Sequence, residues 1–99
     1  MLAHKVFVEH SGEVVSGIDS ESVMEAWWGA REGAGTDGKS PGIPGTRSAL
    51  GVDVTSEVRS KLREGAIIKA GNGVFDVSDP APKLNKVLEI RVATIKALS

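Results

Sequence analysis

The chain has 99 residues, of which 40% are hydrophobic and 25% charged, a composition that suits one small globular domain with a modest core. The formal net charge of −1 gives no overall attraction to DNA or to anionic membranes, and the absence of cysteine excludes disulfides, thiolate zinc sites and thiol redox chemistry. No window approaches the roughly 18 apolar residues of a membrane span, and the N-terminal residues do not read as a signal peptide, so we expect a protein made in the cytoplasm without a membrane partner.

Two short strands are predicted near the N-terminus. Residues 5–9 favour a strand, residues 13–16 are a weaker partner, and residues 11–12 suit the turn between them. The two histidines, His4 and His10, would lie on one side of a continuous strand but about 20 Å apart. One metal ion cannot join side chains at that separation, so no metal site is expected.

Residues 20–32 are predicted to be helical. Ser22 and Glu25 have the spacing of a capping box, apolar residues recur four positions apart, and Gly33 would end the helix. The same residues also alternate as a strand does, and a strand is the alternative interpretation.

Trp27 and Trp28 form the most informative pair in this segment. Adjacent residues on a helix or a strand point in different directions, so the two rings cannot share one environment. We expect one ring to enter the core and the other to meet a partner or to cover a loop, because tryptophan is costly to expose and is enriched in interfaces. A second core position is the alternative.

A long loop is predicted over residues 29–51, which hold seven of the 12 glycines and two of the four prolines. Within it, residues 33–40 match the P-loop pattern G-x-x-x-x-G-K-S, in which Lys39 would reach phosphates and Ser40 would hold Mg²⁺. The next five residues, Pro-Gly-Ile-Pro-Gly, cannot form the helix that such a site needs. Phosphate or nucleotide binding is therefore an alternative function only.

A short helix and a β-hairpin are predicted after the loop. Val58 and Leu62 lie four positions apart, with Gly65 beyond them, which predicts a helix over residues 56–63. Residues 66–70 and 74–78 are rich in β-branched and aromatic side chains on either side of a Gly-Asn-Gly turn, the pattern of a hairpin. The two prolines in residues 79–82 end the second strand.

The last predicted element is a long strand over residues 87–97. Three apolar side chains share one face and two charged side chains the other, as expected of a half-buried antiparallel strand; the apolar ones are Leu88, Ile90 and Val92, and the charged ones Glu89 and Arg91. With the hairpin, this strand predicts a three-stranded antiparallel meander.

No catalytic arrangement is recognisable. The carboxylate pairs Asp76/Asp79 and Glu21/Glu25 fit solvated or capping roles, and no nucleophile motif is present, so neither enzyme activity nor a cofactor is expected. With two tryptophans, two phenylalanines and no tyrosine, the chain also lacks the aromatic and basic interleaving of a nucleic-acid module. Acidic residues near the N-terminus and basic residues after position 82 suit head-to-tail association, or simply two solvated faces.

One segment resembles a known family. Residues 62–77 (LREGAIIKAGNGVFDV), then Asp-Pro-Ala-Pro at 79–82 and the strand over 87–95, resemble the C-terminal half of the head-closure proteins, or head-to-tail stoppers, of long-tailed bacteriophages. The shared pattern begins with the motif leucine-basic-x-glycine-apolar, which leads into a strand. A glycine-containing turn, an aromatic-x-Val strand, a break that contains proline and a last long strand follow it. The chain departs from it at Val74-Phe75, where the family often has the aromatic residue one place nearer the turn.

The resemblance implies a ring subunit with a compact β-barrel and a loop that extends toward the channel or neighbouring subunits. It would place Trp27 and Trp28 on a strand, against the helical prediction. Under this interpretation Trp27, Trp28 and Ile43 are candidate interface residues. The cationic loop residues Arg31, Lys39 and Arg47 would face the channel and contact DNA phosphates without reading sequence.

The sequence therefore predicts one mainly β domain over residues 1–99: a small antiparallel β-barrel or sandwich with a long Gly/Pro-rich central loop and one or two short helices. The predicted function is that of a structural virion protein, a ring-forming connector or stopper in the phage neck. Its expected partners are its own copies, the portal or adaptor, tail proteins and the packaged DNA. The alternatives are a small β-barrel that binds proteins in another assembly, and the phosphate-binding protein described above.

Overall fold

A computed structural model of the chain describes residues 2–9, 11–36, 40–71, 74–75 and 77–93. The described residues form four strands, a one-turn 3₁₀ helix and an α-helix; β1 is Leu2–Val8, the 3₁₀ helix Ser20–Ser22, β2 Val23–Gly29, β3 Gly51–Asp53, α1 Thr55–Glu64 and β4 Val87–Ala93. The strands make one antiparallel sheet in the order β1-β4-β2-β3. The mainly β, antiparallel prediction is confirmed, and β1 and β3 are the two edges of an open sheet in the described part of the chain.

β4 organises the fold because it lies between β1 and β2. The predicted strand is confirmed over residues 87–93, and Leu88, Ile90 and Val92 lie on the face that forms the core. The prediction that the strand is half-buried is wrong at Val87 and Glu89, which are buried on its second face. The remainder of the predicted strand, residues 94–97, lies outside the described residues. Side chains from β1, β2, α1 and its N-cap, and the segments before β2 and after α1 complete this core; they are Phe7, Val15, Val23, Ala26, Trp28, Val54, Val58, Ile68 and Phe75.

The predicted short helix is confirmed as α1. Val58 is fully buried, and Leu62, one turn later, packs at the margin of the core, so the apolar stripe of the helix faces the sheet. The Asp53 side chain accepts a hydrogen bond from the Thr55 N–H at the start of the helix, at 2.9 Å. Gly65 ends the helix with φ of 75° and donates its N–H to the Leu62 carbonyl.

The helical prediction for residues 20–32 is wrong, since residues 23–29 form strand β2. The predicted capping box is replaced by Asp19, whose side chain accepts the Glu21 N–H and caps the one-turn 3₁₀ helix. A bulge between Val23 and Glu25 shifts the register and leaves Val23 and Ala26 on the core face. Pairing with β4 and β3 on its two sides satisfies the backbone of β2, and this tertiary pairing overrides the local helical preference.

The predicted hairpin is also wrong, because the described parts of residues 66–78 contain no strand. Lys69 makes an isolated bridge to Val14, and the Val15 N–H donates to the Ile68 carbonyl at 2.9 Å. Residues 13–16 consequently pair with this segment rather than with β1, whose neighbour is β4. The described part of residues 66–78 is held against the domain by the burial of Ile68 and Phe75 in the core, and not by the hydrogen bonds of a hairpin.

Between β2 and β3, residues 30–36 and 40–50 contain neither helix nor strand. No helix within the described ranges is both long enough and apolar enough to cross a membrane.

Candidate functional site

The second face of the sheet, opposite the core, carries a group of polar and aromatic side chains. The strand register places six of them there: His4 of β1, Glu25 and Trp27 of β2, Asp53 of β3, and Glu89 and Arg91 of β4; the apolar side chains of Val6, Val8, Val87 and Ala93 share this face. We call this surface the polar face. The loop between β2 and β3 lies over part of it and contributes Arg31 and Arg47.

Glu89 is the centre of the polar face. Its side chain is only 2% exposed, and each carboxylate oxygen accepts one guanidinium N–H, from Arg31 Nε at 3.1 Å and Arg47 Nε at 3.0 Å. A buried carboxylate needs such charged partners, because burial without them would cost several kcal/mol. The sequence analysis placed Glu89 on a solvated face; one charge inside the otherwise apolar run at 87–90 is the signal that could have indicated a buried ion pair.

Arg47 links Glu89 to a second carboxylate. Its two terminal nitrogens bind the two oxygens of Glu25 at 2.9 and 3.2 Å, a fork-to-fork pair that adds directional specificity. The hydrogen bonds from Arg47 hold the pKa of the Glu25 carboxyl below its usual value, and the same bonds raise the pKa of Arg47. The guanidinium also lies over the Trp27 ring, with its carbon 5.0 Å from the ring centroid.

The two tryptophans lie on opposite faces of β2, as predicted for adjacent residues on a strand. Trp28 is 1% exposed in the core, where its ring centroid is 5.8 Å from that of Phe75. Trp27 is 8% exposed on the polar face, covered by Arg47 and by the backbone of Gly51. A side chain at Gly51 would overlap the indole, so this glycine is what lets β3 approach the ring.

Backbone hydrogen bonds fasten the loop between β2 and β3 to the sheet and to the approach to β4. Ala30 exchanges bonds at the base of the loop, accepting from the Ser48 N–H and donating to the Leu50 carbonyl. Further along, the Asn85 N–H donates to the Gly35 carbonyl at 2.8 Å, and the Asn85 amide donates to the Ser40 carbonyl at 2.9 Å.

The predicted site residues therefore have different environments. Of the predicted interface residues, Trp27 and Trp28 are buried within the chain, while Ile43 is 57% exposed. Of the predicted channel-facing cations, Arg31 and Arg47 are bound to carboxylates on the polar face. Lys39 lies outside the described residues.

The P-loop alternative loses its required helix. Residues 41–45 are irregular, with a bend and a turn at 43–45, as the sequence predicted, so no helix N-terminus follows the motif. Positions 37–39 of the motif are outside the described residues.

A buried lysine joins β4 to the preceding segment. The Lys86 ammonium donates to the carbonyls of Leu84 at 2.9 Å and Ala81 at 3.1 Å, and it lies 3.2 Å from the Asp79 carboxylate. It also lies 6.0 Å from the centroid of the Trp28 ring. An ammonium with this many acceptors holds the chain in place, a structural role that sequence reasoning missed.

The predicted lack of a metal site stays a prediction. His4 is half-exposed, and its Nε2 lies 3.6 Å from Glu89 Oε1, whereas His10 is outside the described residues. Across the part of the chain that the structure describes, no group of three or more acidic or histidine side chains is arranged to hold a metal ion.

Comparison of the chain with known protein families, curated proteins and solved structures gave no significant match. Function must therefore be argued from the geometry of the sheet and from the sequence resemblance.

Proposed function

We propose that this chain is a structural subunit that assembles with its own copies into a ring in the neck of a long-tailed bacteriophage, as a head-to-tail connector or stopper. Its neighbours along the particle axis are a portal or adaptor and the tail proteins. Virion localisation follows from this role.

The observation that carries the proposal is the open antiparallel sheet with a strand edge on each side. Strand order β1-β4-β2-β3 with every pair antiparallel means that β1 and β3 run in opposite directions. A neighbouring copy can therefore extend the sheet without breaking the antiparallel pattern. Such a contact joins two different edges, and a repeated contact of this kind closes into a ring when its rotation allows.

The barrel predicted from the sequence belongs to this proposal. Within one copy the described strands leave β1 and β3 apart, so closure of the sheet requires pairing by another segment or another copy. Strand edges left unpaired carry free backbone donors and acceptors, and natural proteins cover them or use them for association.

DNA contact by the loop is a conditional part of the proposal. Arg31 and Arg47 are neutralised by Glu25 and Glu89, so these two guanidiniums would have to exchange a carboxylate for a phosphate. Lys39 is the third cation that the sequence assigns to this role.

The test of the proposed function combines electron microscopy with a substitution in the loop. We expect concentrated protein, and host particles that contain it, to show a ring at the head–tail junction. Ile43→Asp should reduce ring formation with little change in melting temperature, because the side chain is exposed in the single copy.

Ile67→Asp is the matched control, because Ile67 is also exposed, at 74%, but lies outside the loop. Ring formation by this variant should equal that of the parent protein. A chain that is monomeric at all concentrations and absent from particles would refute the proposed function.

A further inference from the structure

The outer edge of β1 presents a short set of backbone hydrogen-bonding groups. The Glu9 N–H donates to the Lys86 carbonyl at 2.9 Å, so Glu9 points toward β4. Hydrogen-bonding direction alternates along an antiparallel strand, and the backbone groups of His4 and Val6 therefore point away from β4. The next outward carbonyl, that of Val8, already accepts the Ser11 N–H at 3.1 Å. The usable edge of β1 is centred on His4 and Val6.

The outer edge of β3 presents a matching set. The Ala30 N–H donates to the Leu50 carbonyl at 3.0 Å, and the Val54 N–H donates to the Ala26 carbonyl at 2.9 Å. By the same alternation, Val52 points toward β2, whereas Gly51 and Asp53 point away from it. β3 thus offers two outward residues that lie two positions apart, and β1 offers His4 and Val6 at the same spacing, with Leu2 also outward at its start.

We propose that β3 of one copy pairs with β1 of the next, antiparallel, with Gly51 opposite Val6 and Asp53 opposite His4. The inference rests on the proposed self-assembly and names the surface that carries it. In this register the outward groups of both strands face each other, and the sheet continues from copy to copy with its polar face on one side.

Hydrogen bonding favours this register. The exposed carboxylate of Asp53 lies opposite the exposed imidazole of His4 on the polar face, where a ring N–H of His4 can donate to it. Sliding β3 two residues toward the end of β1 would set Gly51 opposite Val8, whose carbonyl is occupied.

A groove beside β1 provides space for the added strand. It has a volume of about 350 Å³ and lies between β1 and residues 13–16, with Phe7 and Val14 among its lining side chains. Val14 is 41% exposed there. In the proposed register Val52 of the added strand lies on the core side of the sheet, next to this groove, where its apolar side chain is removed from water.

A cysteine pair tests the register directly, since the chain has no cysteine of its own. With His4→Cys and Asp53→Cys in one chain, opposed residues of neighbouring copies would have Cα atoms about 5.5 Å apart, within disulfide range. Within one copy, β1 and β3 are three strand spacings apart, about 14 Å, too far for a disulfide. Mild oxidation should give a ladder of covalent oligomers that a reductant reverses.

The matched control is Lys5→Cys with Asp53→Cys, whose side chains lie on opposite faces of the sheet, and it should give no ladder. A monomer with an internal disulfide in the His4/Asp53 variant would mean that β1 and β3 close on each other in one copy, and it would overturn the inference.

A backbone substitution tests the same edge without a crosslink. Because the Val6 N–H points away from β4, Val6→Pro removes a donor that β1 uses only for a neighbour, and edge strands tolerate proline at such positions. Sedimentation should show loss of the species above monomer for Val6→Pro, with its circular dichroism unchanged. Val6→Thr, which keeps the donor and the β-branched shape, should assemble like the parent.

The two proposals fail in different ways. If the parent assembles, Val6→Pro assembles equally well and no ladder forms, the β1–β3 pairing is refuted and self-assembly stands. If the parent is monomeric at all concentrations, is absent from particles and forms no ladder, both proposals are refuted.

Discussion

Replacing Glu89 with alanine tests whether the ion-pair cluster on the polar face holds the loop to the sheet. The substitution removes the acceptor of two guanidinium groups from a site that is 2% exposed. Arg47 keeps its hydrogen bonds to Glu25 and is 31% exposed, so water can accept the Nε–H bond that Glu89 accepted in the parent protein. Arg31 is only 8% exposed and loses a buried partner. Breaking a fully buried pair costs about 3–5 kcal/mol, and the partial exposure of Arg47 sets our expectation at the lower end, about 3 kcal/mol.

Urea denaturation at pH 7 measures this loss as a change in the free energy of unfolding. In a domain of this size, about 3 kcal/mol corresponds to a fall of at least about 12 °C in melting temperature. Glu89→Gln keeps the volume and one acceptor oxygen, and should lose about half as much. Glu21→Ala is the control, because Glu21 is 79% exposed and lies 3.9 Å from Arg63; it should change stability by less than about 0.5 kcal/mol. Equal losses for Glu89→Ala and Glu21→Ala would refute the reasoning.

Two further predictions concern the same face. A Cβ atom at Gly51 would overlap the Trp27 ring and lie 2.6 Å from its Nε1, so Gly51→Ala should cost about 1–3 kcal/mol. Gly71→Ala, whose nearest contact would be an ordinary 3.9 Å, should be nearly neutral in the same urea titration, and equal effects would contradict this account of β3. For pH, the lowered pKa of the Glu25 carboxyl means that its ion pair stabilises the fold above the unfolded-state pKa of about 4.3. That stabilisation is lost as the pH falls through the lower folded-state pKa. Urea midpoints from pH 6 to pH 3 should therefore fall less steeply for Arg47→Ala than for the parent or for Arg63→Ala, and identical slopes would show that Glu25 does not contribute.

Elements with a strong local pattern were predictable from the sequence. α1 has its apolar residues one turn apart and a glycine at its end, so spacing and cap agree on one structure. β4 alternates over residues 87–93, and a period of two admits no competing helix. β1 was predicted within three residues of its observed start. In each case the local preference and the tertiary environment favour the same conformation.

The candidate site was predictable only in part. The opposed directions of Trp27 and Trp28 follow from their adjacency alone, whichever element carries them. The partners of Arg31 and Arg47 do not, because Glu25 and Glu89 are distant in sequence and meet the loop only when β2 and β4 pair. Residues predicted to point outward as free cations are held by this pairing against the sheet.

The sequence by itself determined the mainly β class, the helix α1 and the strand β4, since each is indicated by a pattern of residue types within a few positions. Tertiary structure decided that residues 23–29 are a strand and that Ile68 and Phe75 are buried without a hairpin. It also decided that Glu89 and Lys86 are buried charges. The physical reason is that strand pairing and the desolvation of a charge depend on residues that are distant in sequence but close in space. The spacing of residue types along the chain does not indicate which distant residues those are.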